Sequence, residues 1–213
     1  MKNNNREIIA ILRGVSPSNV VKVVNILTKN GISKIEIPLN SPKPFETIKK
    51  IKLECKNVKS LGAGTVLRPK DVEFAQKAGC NFIFSPNLNK QVIKETKRRK
   101  MISVPGVFTP TEAINAIEYG ADALKLFPAH LIKPDGVKSL LAVLPKKLPL
   151  IVVGGFEAFS FKLWLENGVT GFGIGSYLYN KKYSLNKIDQ ISKNIIKEYD
   201  KFKYKYERHK KIL

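Results

Sequence analysis

Histidine and cysteine are scarce in this chain of 213 residues, which contains two of each. The histidines, His130 and His209, are too few to build a histidine-rich zinc site. The cysteines, Cys55 and Cys80, follow no metal-binding or redox spacing, which is typical of a reducing cytoplasm. We therefore expect neither a metal nor a cofactor, although a magnesium site made of a few carboxylates stays open.

Long apolar runs are also missing. No run approaches the roughly 20 apolar residues that span a bilayer, so no membrane partner is expected. The polar start, residues 1–5, has no apolar core of the kind a signal peptide needs. No glycine-rich dinucleotide fingerprint and no Walker loop occurs. These absences favour a cytoplasmic protein that does not bind nucleotides through those motifs.

Negative charge is in short supply, because 38 Lys+Arg stand against 17 Asp+Glu, for a net charge of +21. Such a balance raises a nucleic-acid hypothesis. The lysines are, however, spread along predicted helices without aromatic stacking platforms between them, which disfavours nucleic-acid binding. The basic tail, residues 197–211, is the one segment that fits a polyanion. The preferred interpretation of the net positive charge is that it attracts an anionic metabolite.

What the chain does have is a regular alternation of short apolar or β-branched runs with amphipathic segments. The alternation predicts parallel strands joined by helices, and eight units close into an α/β fold, the (β/α)8 TIM barrel. A doubly wound open sheet is the alternative. We expect residues 1–213 to form a single domain with a basic helix and tail from about 185 to 213. The eight predicted strands are residues 8–12, 34–38, 60–64, 82–85, 102–105, 123–127, 150–153 and 171–174.

Helix boundaries carry their own signals. Ser16, Ser41 and Thr109 each precede a proline, which predicts capping hydroxyls, and Glu112 completes a capping box with Thr109. Glycine is predicted to end four helices, because it tolerates the left-handed backbone of a C-terminal cap. These are Gly31, Gly79, Gly120 and Gly168.

One lysine, Lys125, stands in the apolar run ALKLF at residues 123–127. Burying an ammonium costs several kcal/mol, so a buried lysine has a lowered pKa. The free amine could then attack a carbonyl carbon and form a Schiff base. Alternatively, the side chain reaches solvent from the strand end or pairs with a buried acid. The run alone does not separate these interpretations.

Other polar residues fall at predicted strand ends. Glu36 lies among apolar residues in KIEIP, and it is either a structural partner of Lys125 or a proton shuttle beside it. Arg13 follows the first strand and suits a bidentate grip on a carboxylate, unless it is an ordinary surface arginine. Thr65, after the third strand, would add a neutral hydrogen-bonding group.

Glycine-containing turns follow the last two predicted strands, where this fold commonly holds phosphate. Gly154 and Gly155 come after the seventh strand, and Gly175 and Ser176 after the eighth. Glycine lets backbone N–H groups approach an anion, and a helix predicted to begin at Ser176 would add its positive dipole end. Turn formation alone is the other interpretation of these glycines.

Taken in order, seven short motifs over residues 7–180 resemble the 2-keto-3-deoxy-6-phosphogluconate/-galactonate aldolase family, the pyruvate-forming class I aldolases. The basic tail is not part of the resemblance. The motifs are IAILRG (9–14), EIPLNSP (36–42), GAGTVL (62–67), SPN (85–87), VPG (104–106), LKLFPA (124–129) and VGG (153–155).

The resemblance implies that Lys125 forms the Schiff base with the substrate ketone and that Glu36 moves the protons. It implies that Arg13 and Thr65 hold the pyruvyl portion, and that the loops of Gly154, Gly155, Gly175 and Ser176 hold the phosphate. The implied substrate is a phosphorylated keto-deoxy sugar acid, the products are pyruvate and glyceraldehyde 3-phosphate, and the implied assembly is a homotrimer.

Within the family, the turn after Glu36 and Val153 before the glycine pair look more like the phosphogalactonate branch. The same chemistry on 2-keto-3-deoxy-6-phosphogluconate or 4-hydroxy-2-oxoglutarate is the first alternative. A phosphate-binding barrel enzyme without aldol chemistry, such as a sugar-phosphate isomerase, is the second. A barrel that has lost catalysis and binds through its basic surface is the third.

Overall fold

The computed structural model describes residues 6–155 and 160–206, with side chains up to residue 202. Strands and helices alternate along it. The strands are β1 (Ile8–Ile11), β2 (Lys34–Pro38), β3 (Ser60–Gly64), β4 (Phe82–Phe84), β5 (Ile102–Val104), β6 (Gly106–Val107), β7 (Leu124–Leu126), β8 (Leu150–Val153) and β9 (Gly171–Ile174). The helices are α1 (Val20–Lys29), α2 (Pro44–Glu54), α3 (Pro69–Ala78), α4 (Lys90–Arg98), α5 (Pro110–Glu118), α6 (Ala129–Leu141), α7 (Phe161–Glu166) and α8 (Leu185–Tyr206).

All strand pairs are parallel, in the order β5-β4-β3-β2-β1-β9-β8-β7-β6. The two ends of this order, β5 and β6, are consecutive in the chain and are separated only by Pro105. Backbone bonds cross the same seam, because Lys125 N donates to Pro105 O at 2.9 Å and Asp122 N to Ser103 O at 3.0 Å. The strands therefore form a ring, and the predicted (β/α)8 barrel is confirmed.

The predicted fifth strand, residues 102–105, is wrong in one respect. It is split at Pro105, which has no N–H to donate to a ladder, so that β5 pairs with β4 and β6 pairs with β7. The chain thus has nine strands for eight barrel units. Three other predicted strands, 8–12, 82–85 and 123–127, are one or two residues longer than the structure has them.

The core has two layers. Side chains that alternate along β2 show the division, because Ile35 and Ile37 join the large cluster between the sheet and the helices, whereas Lys34 and Glu36 occupy the other face. That other face is the barrel interior, which is filled largely by a second apolar cluster. Its members are Ile9, Ile11, Phe82, Phe84, Val104, Ala123, Ile151 and Val153.

Helix ends follow the predicted chemistry in part. Thr109 and Glu112 form the full capping box, and the four predicted glycines all have positive φ. The predictions for Ser16 and Ser41 are wrong, because α1 and α2 begin later and have no side-chain cap. Ser16 instead accepts two backbone N–H groups through its carbonyl, and the Ser41 hydroxyl accepts from Gly14 N.

The last helix, α8, has the predicted bounds and packs against α1 and α7. Among the described residues, none of the helices qualifies as a transmembrane span. The predictions that concern residues 1–5, His209 and the basic tail past residue 206 lie outside the described residues.

Candidate active site

Two oppositely charged residues share the barrel interior. Glu36 on β2 and Lys125 on β7 are 2% and 6% exposed, and each has apolar residues on both sides of it in its strand. Both side chains occupy the face that the apolar interior cluster also lines, because side chains alternate along a strand. The structure thus brings the two predicted catalytic residues into one buried space.

Burial changes the acid–base behaviour of both groups. Desolvation raises the pKa of Glu36 to about 7, against the lowering effect of the Lys125 and Arg13 charges. Desolvation lowers the pKa of Lys125, and the nearby Arg13 charge lowers it further, while Glu36 raises it. A carboxyl group with a pKa near 7 can both accept and return a proton at neutral pH. An amine with a lowered pKa is a better nucleophile.

Two phenyl rings surround the lysine amine. Lys125 Nζ lies 4.8 Å from the ring centroid of Phe127 and 5.7 Å from that of Phe84. Such contacts stabilise an ammonium only modestly, by about 0.5–2 kcal/mol, which is less than the cost of its desolvation. The rings therefore shape the space around the amine without making it a permanent ion.

Arg13 lies just beyond β1 at the carboxyl end of the barrel. Its Nη1 donates to Asn40 Oδ1 at 2.5 Å, and its Nη2 approaches Thr65 Oγ1 at 3.5 Å, the limit of a hydrogen bond. Thr65 has φ +55°, which points to a tightly constrained turn after β3. The structure thus brings together the two residues predicted to hold the pyruvyl portion.

A cavity of about 470 Å³ opens at the same end of the barrel. It is lined by five of the eight predicted site residues, namely Arg13, Gly154, Gly155, Gly175 and Ser176. Lys125, Glu36 and Thr65 are not among its lining residues. Phe127 connects the cavity to the buried pair, because its ring lines the cavity and contacts the Lys125 amine.

The first glycine pair has no room for side chains. Gly154 and Gly155 have φ +91° and +68°, a backbone that side chains disfavour. A Cβ on Gly155 would lie 2.6 Å from the His130 side chain, and one on Gly154 would lie 3.2 Å from the Phe127 ring. Glycine at both positions keeps the backbone exposed to the cavity, where its N–H groups could bind an anion.

The prediction that a helix begins at Ser176 is wrong. Leu178 N and Tyr179 N both donate to Gly175 O, which makes a single turn, and α8 begins only at Leu185. No helix dipole therefore supports an anion at Ser176. The hydroxyl and the backbone of the turn are what this segment offers.

Sequence reasoning missed several residues of this site. Asn40 contacts Arg13, and Tyr177, Tyr179, Asn180 and Lys181 line the cavity. All lie in loops, where an asparagine, tyrosine or lysine has no periodic pattern that distinguishes it from any surface residue. Within residues 6–155 and 160–206, no group of three or more His, Cys, Asp or Glu side chains is placed to hold a metal ion.

The fold and the site together are those of a barrel enzyme. The (β/α)8 barrel holds a desolvated lysine–glutamate pair inside it, and a cavity suited to an anion opens at the carboxyl ends of its strands. The family model of KDPG and KHG aldolase matches residues 1–194. The chain belongs to this aldolase family, and aldolases are lyases that cleave carbon–carbon bonds.

Individual relatives agree with the family match. The chain is 40% identical to a probable 2-dehydro-3-deoxy-6-phosphogalactonate aldolase of Rhizobium meliloti (strain 1021), over 92% of both chains. It is 37% identical to the 2-dehydro-3-deoxy-6-phosphogalactonate aldolase of Escherichia coli (strain K12), over 90% of this chain and 94% of the relative. A solved structure of native KDPGal aligns with a TM-score of 0.88 at 36% identity, over 91% of this chain and 94% of the other.

Proposed function

We propose that this chain is a class I aldolase that cleaves 2-dehydro-3-deoxy-6-phosphogalactonate to pyruvate and D-glyceraldehyde 3-phosphate. The observation that carries the proposal is the buried pair of Lys125 and Glu36. Desolvation pushes both pKa values toward neutrality. A nucleophilic amine and a proton acceptor are the two groups that Schiff-base aldol cleavage needs.

The reaction begins at Lys125. Its neutral amine adds to the C2 ketone, and uptake of one proton from the solvent with loss of one water gives a protonated imine that withdraws electrons from C3. Glu36 accepts the proton of the C4 hydroxyl as the C3–C4 bond breaks. The electrons of that bond flow into the imine, which becomes an enamine, and C4 leaves as the aldehyde of glyceraldehyde 3-phosphate.

The second half regenerates the protein. Glu36 returns its proton to C3 of the enamine, which restores the imine with a methyl group at C3. One water then hydrolyses the imine and releases pyruvate and one proton, so the water lost and the proton taken up in the first step are both replaced. A carboxyl group with a pKa of about 7 suits both proton transfers.

Charge at the cavity supports an anionic substrate. Arg13 would bind the C1 carboxylate together with Thr65, and the loops at Gly154, Gly155, Gly175 and Ser176 would bind the phosphate. Arg13 and Lys181 line the cavity, and among the residues that the structure describes no acidic side chain lines it. A substrate that carries both a carboxylate and a phosphate therefore finds a positive surface there.

Preference for the galactonate series is supported by the two phosphogalactonate relatives, by the turn after Glu36 and by one apolar position at the cavity. Val153 lines the cavity next to the glycine pair, where some phosphogluconate enzymes carry threonine. A valine cannot hydrogen-bond a hydroxyl, so it changes the choice between the two C4 epimers. The alternatives are 2-dehydro-3-deoxy-6-phosphogluconate and 4-hydroxy-2-oxoglutarate, with the same mechanism. Turnover of the two phosphorylated epimers, measured side by side, separates them.

The test of the mechanism is borohydride reduction in the presence of pyruvate, followed by peptide mapping. We expect a stable adduct on Lys125 and none on Lys34, a second lysine inside the barrel that is ion-paired with Glu7. The Lys125→Ala variant should form no adduct and show no cleavage. Absence of an adduct on the wild-type protein, or an adduct on Lys34 instead, would overturn the proposal.

We also propose a cytoplasmic homotrimer, as the resemblance to the family implies. Light scattering of the purified protein should give about three times the chain mass of 23.9 kDa. A mass equal to one chain at micromolar concentration would contradict the trimer without affecting the proposed chemistry.

A further inference from the structure

The turn that follows β2 is fastened to both neighbouring strands. Leu39 N donates to Gly64 O at the end of β3, at 2.8 Å. The Ser41 hydroxyl accepts from Gly14 N, just after β1, at 2.9 Å, and Ser41 N donates to Pro38 O within the turn. The turn is therefore fixed to the rim of the barrel on two sides, although Asn40 at its tip is exposed.

Asn40 uses this fixed position to contact Arg13. The Asn40 Oδ1 atom accepts from Arg13 Nη1 at 2.5 Å, while Thr65 Oγ1 lies 3.5 Å from Nη2. Both partners are neutral. Among the residues that the structure describes, no carboxylate forms an ion pair with Arg13, so its charge is held in place without being neutralised.

The position of the Arg13 charge affects both the cavity and the buried Lys125–Glu36 pair. Arg13 lines the cavity, and its charge lowers the pKa of both Glu36 and Lys125. An arginine side chain has four rotatable bonds and loses much rotamer freedom when it is held. A neutral acceptor that holds the guanidinium before the substrate arrives lowers this cost of binding.

We propose that Asn40 is a positioning residue that holds the Arg13 guanidinium at the cavity, oriented toward the substrate carboxylate and toward the buried pair. The inference rests on the proposed aldolase function and deepens it. Asparagine serves because its oxygen accepts a hydrogen bond and carries no charge. Alanine would release the guanidinium, and aspartate would hold it but neutralise it.

The test compares Asn40→Ala and Asn40→Asp with the wild type and with Asn19→Ala, an exposed asparagine whose side chain forms no capping bond. For Asn40→Ala we expect KM for the phosphorylated substrate, and the pyruvate concentration for half-maximal borohydride trapping, to rise about tenfold. We expect kcat to change less than threefold. Asn19→Ala should behave as the wild type in both assays.

The pH profile of the Asn40→Asp variant distinguishes a positioning role from a merely structural one. Its KM should rise at least as much, and both limbs of the pH profile of kcat/KM should shift to higher pH. The direction follows because a neutralised Arg13 no longer lowers the pKa values of Glu36 and Lys125. The Asn40→Ala variant keeps the charge and should show a smaller shift.

The inference and the proposed function fail in different ways. If the wild type cleaves substrate and traps pyruvate, but Asn40→Ala has unchanged KM and Asn40→Asp an unchanged pH profile, the positioning role is wrong and the function stands. If both variants lose kcat and thermal stability together with no pH shift, Asn40 is only structural. A wild type with neither cleavage nor trapping would instead refute the proposed function.

Discussion

Gly64 leaves room for the carboxylate of Glu36. A Cβ on Gly64 would lie 1.3 Å from Glu36 Oε1 and 2.2 Å from its Cδ, closer than two non-bonded atoms can approach. The two residues lie on the adjacent strands β3 and β2. The absence of a side chain at Gly64 is therefore what allows the buried carboxylate its position in the barrel.

Replacing Gly64 with alanine should displace that carboxylate. We expect Gly64→Ala to slow cleavage by about 10²-fold or more, the typical effect of losing a positioned general base. The forced contact should also cost about 1–3 kcal/mol in the free energy of unfolding. Borohydride trapping of pyruvate on Lys125 should persist, because the amine is untouched. Steady-state kinetics and trapping measure the two effects separately.

A double-mutant cycle provides the control. In a Glu36→Ala background the carboxylate is gone, so adding Gly64→Ala should cost clearly less stability than it does in the wild type. Equal costs in the two backgrounds would show that Gly64 does not act through Glu36. Wild-type turnover in Gly64→Ala would show the same for catalysis.

The sequence predicts the barrel and its buried lysine–glutamate pair for a physical reason. Eight apolar runs set the strands, and Lys125 and Glu36 stand out because a charge inside such a run must be desolvated. The break at Pro105 was not predicted, because proline also occurs at ordinary strand ends. The turn at Ser176 was misread as a helix start, since a serine after a glycine suits both structures.

Contacts between loops are where prediction from the sequence ends. Asn40 contacts Arg13 and Lys181 lines the cavity only because the fold brings them there, and neither follows a periodic pattern. The space for the Glu36 carboxylate shows the same limit, because GAG at residues 62–64 does not say which glycine faces it. Local patterns report burial, whereas these roles depend on pairs of residues distant in the chain.

Replacing Glu36 with glutamine should separate proton transfer from Schiff-base formation. We expect Glu36→Gln to retain the pyruvate adduct but to slow cleavage by roughly 10²-fold or more. Wild-type kcat/KM should fall as the pH drops below about 7, because protonated Glu36 cannot accept a proton. The residual kcat/KM of the Glu36→Gln variant should not show this fall at acidic pH. Turnover equal to the wild type would remove Glu36 from the mechanism.

The same variant should change how stability depends on pH. The pKa of Glu36 is raised from 4.5 to about 7, so the folded state binds its proton more tightly than the unfolded state. Stability from this group is complete below pH 4.5 and is lost as the pH rises through 7, by on the order of 3 kcal/mol. Relative to the wild type, Glu36→Gln should gain about that amount between pH 4.5 and 8. Denaturant unfolding at the two pH values measures it, and a constant difference would contradict the raised pKa.

Two consecutive lysines offer a matched comparison at the cavity. Lys181 lines it, and Lys182 does not. Asn180 fixes the turn that carries them, because its Oδ1 accepts from Lys182 N at 3.0 Å. We expect Lys181→Gln to raise KM for the phosphorylated substrate about tenfold or more, as for a lost charged contact. Pyruvate trapping and kcat should stay near wild-type values.

Lys182→Gln removes the same charge from the chain and should leave KM within about twofold of the wild type, since an exposed charge away from the site is screened by salt. Equal effects of the two substitutions would mean that only the net charge of the protein attracts the substrate. A dependence confined to Lys181 would locate the phosphate on its side of the cavity.

A buried ion pair at the opposite end of the barrel offers a prediction about stability alone. Lys34 Nζ lies 2.5 Å from Glu7 Oε2, with side chains 2% and 13% exposed, at the amino-terminal ends of β2 and β1. Glu7→Gln removes the carboxylate that compensates the lysine charge, and breaking a buried pair typically costs about 3–5 kcal/mol. Denaturant unfolding should show that loss.

The combination of Glu7→Gln with Lys34→Met should recover most of the lost stability, because the buried charge is then gone. The kcat/KM of the folded double variant should match the wild type, since the pair lies away from the cavity. A double variant that is stable but inactive would mean that charge at this end of the barrel influences the chemistry at the other.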